Sequence, residues 1–91
     1  MKNMLAINQD VVFTQIDHDI VMMEPSTGEY HGLNTVGAEL WNLLDEKPTN
    51  IASMVHFLQN NYAIDEATAT ADVQAFVDAL LGKAFLVMTA D

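Results

Sequence analysis

Apolar positions change their spacing about a third of the way along the chain. From Val11 to Leu33 they come in short runs broken by turn-forming residues: Val11–Ile16, Asp17-His18-Asp19, Ile20–Met23, Glu24-Pro25-Ser26-Thr27-Gly28, then Glu29–Leu33. β-Branched and aromatic residues in such runs favour extended backbone, so three strands are predicted. Glu24–Gly28 has the chemistry of a hairpin turn. Pro25 fixes φ early, Ser26 and Thr27 hydrogen-bond locally, and Gly28 is expected to take positive φ where the chain re-enters the sheet. Gly32 takes a side chain out of the third strand, which predicts a bulge or a close backbone approach there.

From Asn34 the spacing becomes helical. Asn34 is a candidate N-cap, followed by the stripe Val36, Leu40, Leu43 and Leu44 with Gly37 and Trp41 beside it. After Pro48, Thr49 is positioned to cap a second helix with the stripe Ile51, Met54, Val55, Leu58 and Tyr62, ending near Asn60-Asn61. Asp65 caps a third, with Glu66 favourably placed in its first turn, the stripe Val73, Phe76, Val77, Leu80 and Leu81, and Gly82 as terminator. Phe85–Met88 is a short extended tail, suited to pack on the core or pair with a strand. Strands before helices predict an α+β fold, an antiparallel three-stranded sheet followed by three helices. Short loops and the lack of repeats predict a single domain over residues 1–91.

Composition narrows what this domain does. A 91-residue chain buries only about 60–65% of the surface it exposes unfolded, which leaves little room for a deep catalytic pocket. Three Lys and no Arg against 13 acids give a formal charge of −10. Nucleic acid and anionic membranes bind through clustered Lys and Arg, so both are excluded as expected partners. Without cysteine, disulfides, thiolate catalysis and Cys-zinc sites are excluded. No apolar run reaches the roughly 20 residues of a membrane span, and the first ten residues are too polar for a signal peptide. A cytoplasmic protein is expected.

Catalytic chemistry is sparse. His18, His31 and His56 fall in a turn, a strand and a helix, with no i,i+4 metal pair. Asp17-His18-Asp19 is a solvated turn, and His31 is expected as a strand surface residue. Ser26 and Ser53 lack a neighbouring base or oxyanion motif, and Asp45-Glu46 and Asp65-Glu66 are explained by helix ends. No catalytic residue, metal site or cofactor is expected. Met4, Met22, Met23, Met54 and Met88 are expected as adaptable core filler.

Two surface features point to binding instead. An open sheet edge presents unpaired backbone N–H and C=O groups, to which an extended peptide adds as a further strand. Beside the core stripe of the third helix, Thr68, Asp72, Ala75 and Ala79 recur at helical spacing. Small residues there either leave a groove or simply favour an exposed helix.

Tyr30-His31-Gly32-Leu33-Asn34, then Gly37, Trp41 and Leu43-Leu44, resemble the Y-x-x-LN-x-x-G-x-x-x-W-x-LL core of the PqqD-like family. Thr49, Ala52, Leu58 and Tyr62 continue the likeness, and Asp72-Val73, Phe76, Leu80 and Phe85-Leu86 resemble its closing helix, so the resemblance implies a domain core from about Val11 to Val87. The resemblance implies a winged helix-turn-helix-like fold and a non-catalytic recognition element. Such elements bind the leader segment of a ribosomally made precursor peptide and present it to processing enzymes. It implies a leader strand along the third strand, against the third helix, with Glu29, Tyr30, His31, Gly32 and Leu33 on one side and Thr68, Asp72, Ala75, Phe76 and Ala79 on the other. Trp41, Leu44, Leu58 and Val77 belong to the core. The hairpin and free-standing size are closer to the lasso peptide branch, whose partners are a leader protease and an ATP-dependent macrolactam cyclase. The other branch is the chaperone of pyrroloquinoline quinone biosynthesis, with a radical-SAM enzyme. An accessory subunit docked permanently on a modifying enzyme is a third arrangement.

Overall fold

The structure is a computed structural model and describes residues 3–90. The elements run β1 (Asn3–Ile7), β2 (Val12–Ile16), β3 (Asp19–Met23), β4 (Tyr30–Leu33), α1 (Thr35–Glu46), α2 (Ile51–Asn61), α3 (Glu66–Gly82) and β5 (Leu86–Ala90). Strands β2, β3 and β4 form an antiparallel sheet in that spatial order, and three helices follow as the hydrophobic spacing predicts. A second, two-stranded sheet pairs β1 with β5 antiparallel, Leu5 opposite Met88. The tail therefore does pair with a strand. Its partner, Asn3–Ile7, lacks the β-branched and aromatic run that marks the other strands, with Ile7 its one β-branched residue.

The β2–β3 hairpin turns through Asp17 and His18. Asp17 has φ of 55°, a conformation that Asp tolerates in two-residue turns. The β3–β4 hairpin closes as a bulge at Gly28, not Gly32. The Gly28 N–H donates to the Glu24 carbonyl (2.8 Å), the Glu24 N–H donates to the Glu29 carbonyl (2.7 Å), and Gly28 has φ of +76°, the signature of a bulge with glycine in the left-handed region. At Gly32 the β3–β4 register is uninterrupted, with Val21 opposite. A Cβ there meets nothing within 4 Å, so neither the expected bulge nor a close approach of this chain's own backbone occurs.

The inner face of the three-stranded sheet carries Ile20 and Met22, both fully buried. It packs on Leu40, Trp41 and Leu44 of α1, Met54 and Leu58 of α2, Val73 and Val77 of α3, and Phe85 and Leu86 beyond it. Phe13 of β2 meets Trp41 edge to face at 5.1 Å. Trp41, Leu44, Leu58 and Val77 are in the core as expected. Met22 and Met54 are buried, whereas Met88 is exposed, so not every methionine fills the core.

The caps show how the helices begin and end. Asn34 accepts from the Gly37 N–H (3.3 Å) and Asp65 from the Thr68 N–H (2.7 Å), as predicted. The cap of α2 is Asn50, whose Oδ1 accepts from the Ser53 N–H (2.8 Å). Thr49 is instead buried and bridges to β1. Its N–H donates to the Leu5 carbonyl (2.9 Å) and its carbonyl accepts from the Leu5 N–H (2.6 Å). Helix α3 ends at Gly82, yet the left-handed residue lies two positions on, at Ala84 (φ 63°). The Ala84 N–H donates to the Leu81 carbonyl (3.1 Å) and the Phe85 N–H to the Leu80 carbonyl (2.9 Å). Together these make a Schellman termination that turns the chain into β5.

Candidate functional site: the cleft between β4 and α3

Strand β4 is an edge, because among the described residues it pairs with β3 alone. The Glu24–Glu29 bond sets the alternation of the antiparallel ladder, in which residues at alternate positions point both backbone groups at the partner. His31 and Leu33 therefore direct their N–H and C=O toward β3, and Tyr30 and Gly32 direct theirs to the open edge.

The same alternation sorts the side chains. His31 lies opposite Met22 and Leu33 opposite Ile20, both on the inner face that packs toward the helices. The His31 ring meets Phe85 edge to face at 5.2 Å. Tyr30 is on the outer face and 73% exposed.

Between β4, the start of α1 and α3 lies a cavity of about 430 Å³, within the usual range for ligand sites of about 300–1,000 Å³. Gly32 and Leu33 form its strand side, Leu40 and Leu58 are buried lining residues, and Asp72, Ala75 and Phe76 form the helical wall. Gly37 makes the narrow end possible. A Cβ there would stand 3.4 Å from the Leu33 side chain, so α1 starts close against the end of β4.

Of the ten residues singled out in the sequence, the structure brings Gly32, Leu33, Asp72, Ala75 and Phe76 together around this cavity. Glu29, Tyr30 and His31 lie further along the strand, and Thr68 and Ala79 are exposed on α3 outside the lining. The start of α1 also contributes Asn34, Val36 and Gly37. Sequence reasoning had assigned Asn34 to capping and Val36 to the core stripe. Val36 is 37% exposed. Its position one turn before Leu40 made it look like core, whereas the helix is just beginning there and the sheet does not cover it.

The lining is apolar apart from Asn34 and one carboxylate, Asp72, with no basic side chain among the lining residues. No helix of the described residues is long and apolar enough to cross a membrane.

The fold and cleft define a small winged-helix-like α+β domain in which one of the sheet's two outer strands, β4, runs beside a cleft. The chain belongs to the PqqD family: the sequence model described as Coenzyme PQQ synthesis protein D (PqqD) matches residues 19–86. Two solved structures extend the likeness over nearly the whole chain. One is TbiB1 in complex with the TbiA(beta) leader peptide, at 34% identity and a TM-score of 0.84, covering 94% of this chain and 99% of that one. The other is a lasso peptide synthetase B1 complexed with the leader peptide, at 25% identity and a TM-score of 0.76, covering 91% and 96%. No curated protein matches the sequence.

Proposed function

We propose that this protein is a leader-binding recognition element of lasso peptide biosynthesis. The leader of a ribosomally made precursor adds as a strand to β4, bonding to the backbone groups of Tyr30 and Gly32. Its inward side chains enter the cleft against Asp72, Ala75 and Phe76. Glu29, His31, Thr68 and Ala79 flank the bound segment. The observation that carries this reading is the open edge of β4 beside the 430 Å³ apolar cleft, in a chain alike in fold and sequence to two proteins solved with leader peptides. Strand addition suits such a site, because backbone bonds give affinity and alternate side-chain pockets give selectivity.

The protein then works by presentation rather than catalysis, in the cytoplasm, handing the bound precursor to a leader protease and a macrolactam cyclase. The lasso likeness favours these partners over a radical-SAM enzyme. Asp72 and Glu29, in a chain of charge −10, would steer basic residues of the leader, chiefly through on-rate and selectivity.

Fluorescence titration with labelled leader peptides tests the reading, using the TbiA(beta) leader and leaders of other lasso peptide precursors. The expected dissociation constant is micromolar to nanomolar, roughly −8 to −12 kcal/mol. A folded protein that binds none of these leaders at tens of micromolar contradicts it.

A further inference from the structure

We propose that Glu24, Glu29 and His31 form a binding site for a late first-row divalent cation, zinc foremost. The three donor atoms lie within 4.8 Å of one another, although no spacing in the sequence suggests a metal pair. They meet because the Gly28 bulge sets Glu24 opposite Glu29 and the strand alternation places His31 on the same face, one pair further along.

Like charges directly opposed across a hairpin repel. Among the described residues one ion pair involves this group, His31 Nε2 to Glu24 Oε2 at 3.7 Å. That is too long for a hydrogen bond, and the His31 Nε2 atom is buried without a partner. An orphaned ring nitrogen is costly as it stands. A separation of 3.7 Å is ordinary for two donors that share one ion, since metal bonds of roughly 2.0–2.2 Å place their donors about 3–4 Å apart.

The surroundings fit a ligand set. Phe85 holds the imidazole edge to face. Thr27 Oγ1 donates to Glu24 Oε2 at 2.9 Å, the kind of outer hydrogen bond that orients a metal-binding carboxylate. Imidazole with carboxylates suits zinc and its neighbours, whereas calcium and magnesium take oxygen ligands. Three protein donors leave a fourth position for water. None of the three residues lines the β4–α3 cavity. The bound ion would neutralise the opposed carboxylates and tie the two strands together at the hairpin end, whether or not a leader is present.

Calorimetric titration of the chelator-treated full chain with zinc chloride tests this, alongside NMR of the histidine rings. Saturable one-to-one uptake is expected, with calcium producing none. The His31 ring resonances should shift, while those of His18 and His56 stay in place. Glu24→Gln and Glu29→Gln should each weaken uptake by at least about tenfold, the size that even outer-sphere changes produce at zinc sites. Each removes one of two repelling charges, and thermal melts without metal verify that the fold persists. No saturable uptake of submillimolar zinc overturns the proposal. So does uptake that shifts His18 or His56 instead, or uptake undiminished in both variants.

Discussion

The two sheets of this protein use their strands in opposite ways. In the three-stranded sheet, β4 keeps one edge open beside a cleft. In the two-stranded sheet, β1 pairs with β5 along its whole length and also bridges to Thr49 at the start of α2. Asn8 adds two bonds to the turn after α3. Its side-chain nitrogen donates to the Ala84 carbonyl (2.8 Å) and its backbone N–H to the Phe85 carbonyl (3.0 Å). One sheet leaves backbone groups of β4 unpaired, and the other fastens those of β1 to β5 and to Thr49, before α2.

The sharpest way to break that comparison is to loosen the fastening. Leu5 is 3% exposed within the core. Leu5→Ala should destabilise the fold by about 2–5 kcal/mol, read by chemical denaturation. The leader affinity of the remaining folded protein should be unchanged. A fall in affinity of the folded fraction would show that the two sheets do not have separate tasks.

Filling the cleft should do the reverse. Ala75 lines the cavity and Ala79, one turn on, does not. Ala75→Arg should weaken leader binding by about 2 kcal/mol, the scale of a lost interface hot spot, or roughly 30-fold, with little change in stability. Ala79→Arg should change affinity far less. Equal effects in the titration would mean that the peptide follows α3 further than the cavity extends.

A smaller effect is expected where the fastening is strained. Ala84 holds the left-handed position of the Schellman turn, which costs a residue with a Cβ roughly 1–2 kcal/mol. Glycine relieves that cost and adds back about 0.5–1 kcal/mol of unfolded-chain entropy. Ala84→Gly should therefore raise stability by about 0.5 kcal/mol, again without touching leader binding.

The last prediction concerns pH. The Asp65 carboxylate is held below the usual range by the Thr68 backbone N–H first and the Thr68 hydroxyl second, against a small opposing effect of desolvation. Its folded pKa lies below its unfolded one, so its contribution to stability is complete above the ordinary Asp value. That contribution is lost as pH falls through the lowered value. Denaturation midpoints of wild type and Asp65→Asn should thus converge on acidification and separate near neutrality.

The contrast between the sheets also explains what the sequence revealed. Strands β2 to β4 are neighbours along the chain, joined by turns whose residues announce them: Asp17-His18 at one end, Pro25 and Gly28 at the other. Asn34 and Asp65 were legible as caps for the same local reason. Strand β1 was not. Asn-Met-Leu-Ala-Ile has little β-branching, and its pairing lies at the opposite end of the chain, where no local rule reaches. Thr49 misled because threonine is a good cap, and the demand of β1 for a backbone partner outweighed that preference. Gly28 and Gly32 each read as irregular points, and the bulge settled where positive φ was needed. On the cleft, helical spacing set Asp72 and Ala75 on one flank of the third helix, whereas it put Phe76 in the core stripe and only the family resemblance brought that residue to the site. Helical spacing missed Val36, because whether a stripe residue at a helix start is covered depends on how the sheet ends.

Amide hydrogen exchange along β4, with and without bound leader, tests the central claim most directly. Strand addition predicts that the Tyr30 and Gly32 amides, which face the open edge, become strongly protected on binding. Those of His31 and Leu33, already bonded to β3, should change little, and β1 and β5 should keep their rates. Saturable leader binding that leaves Tyr30 and Gly32 exchanging as freely as before would contradict the account.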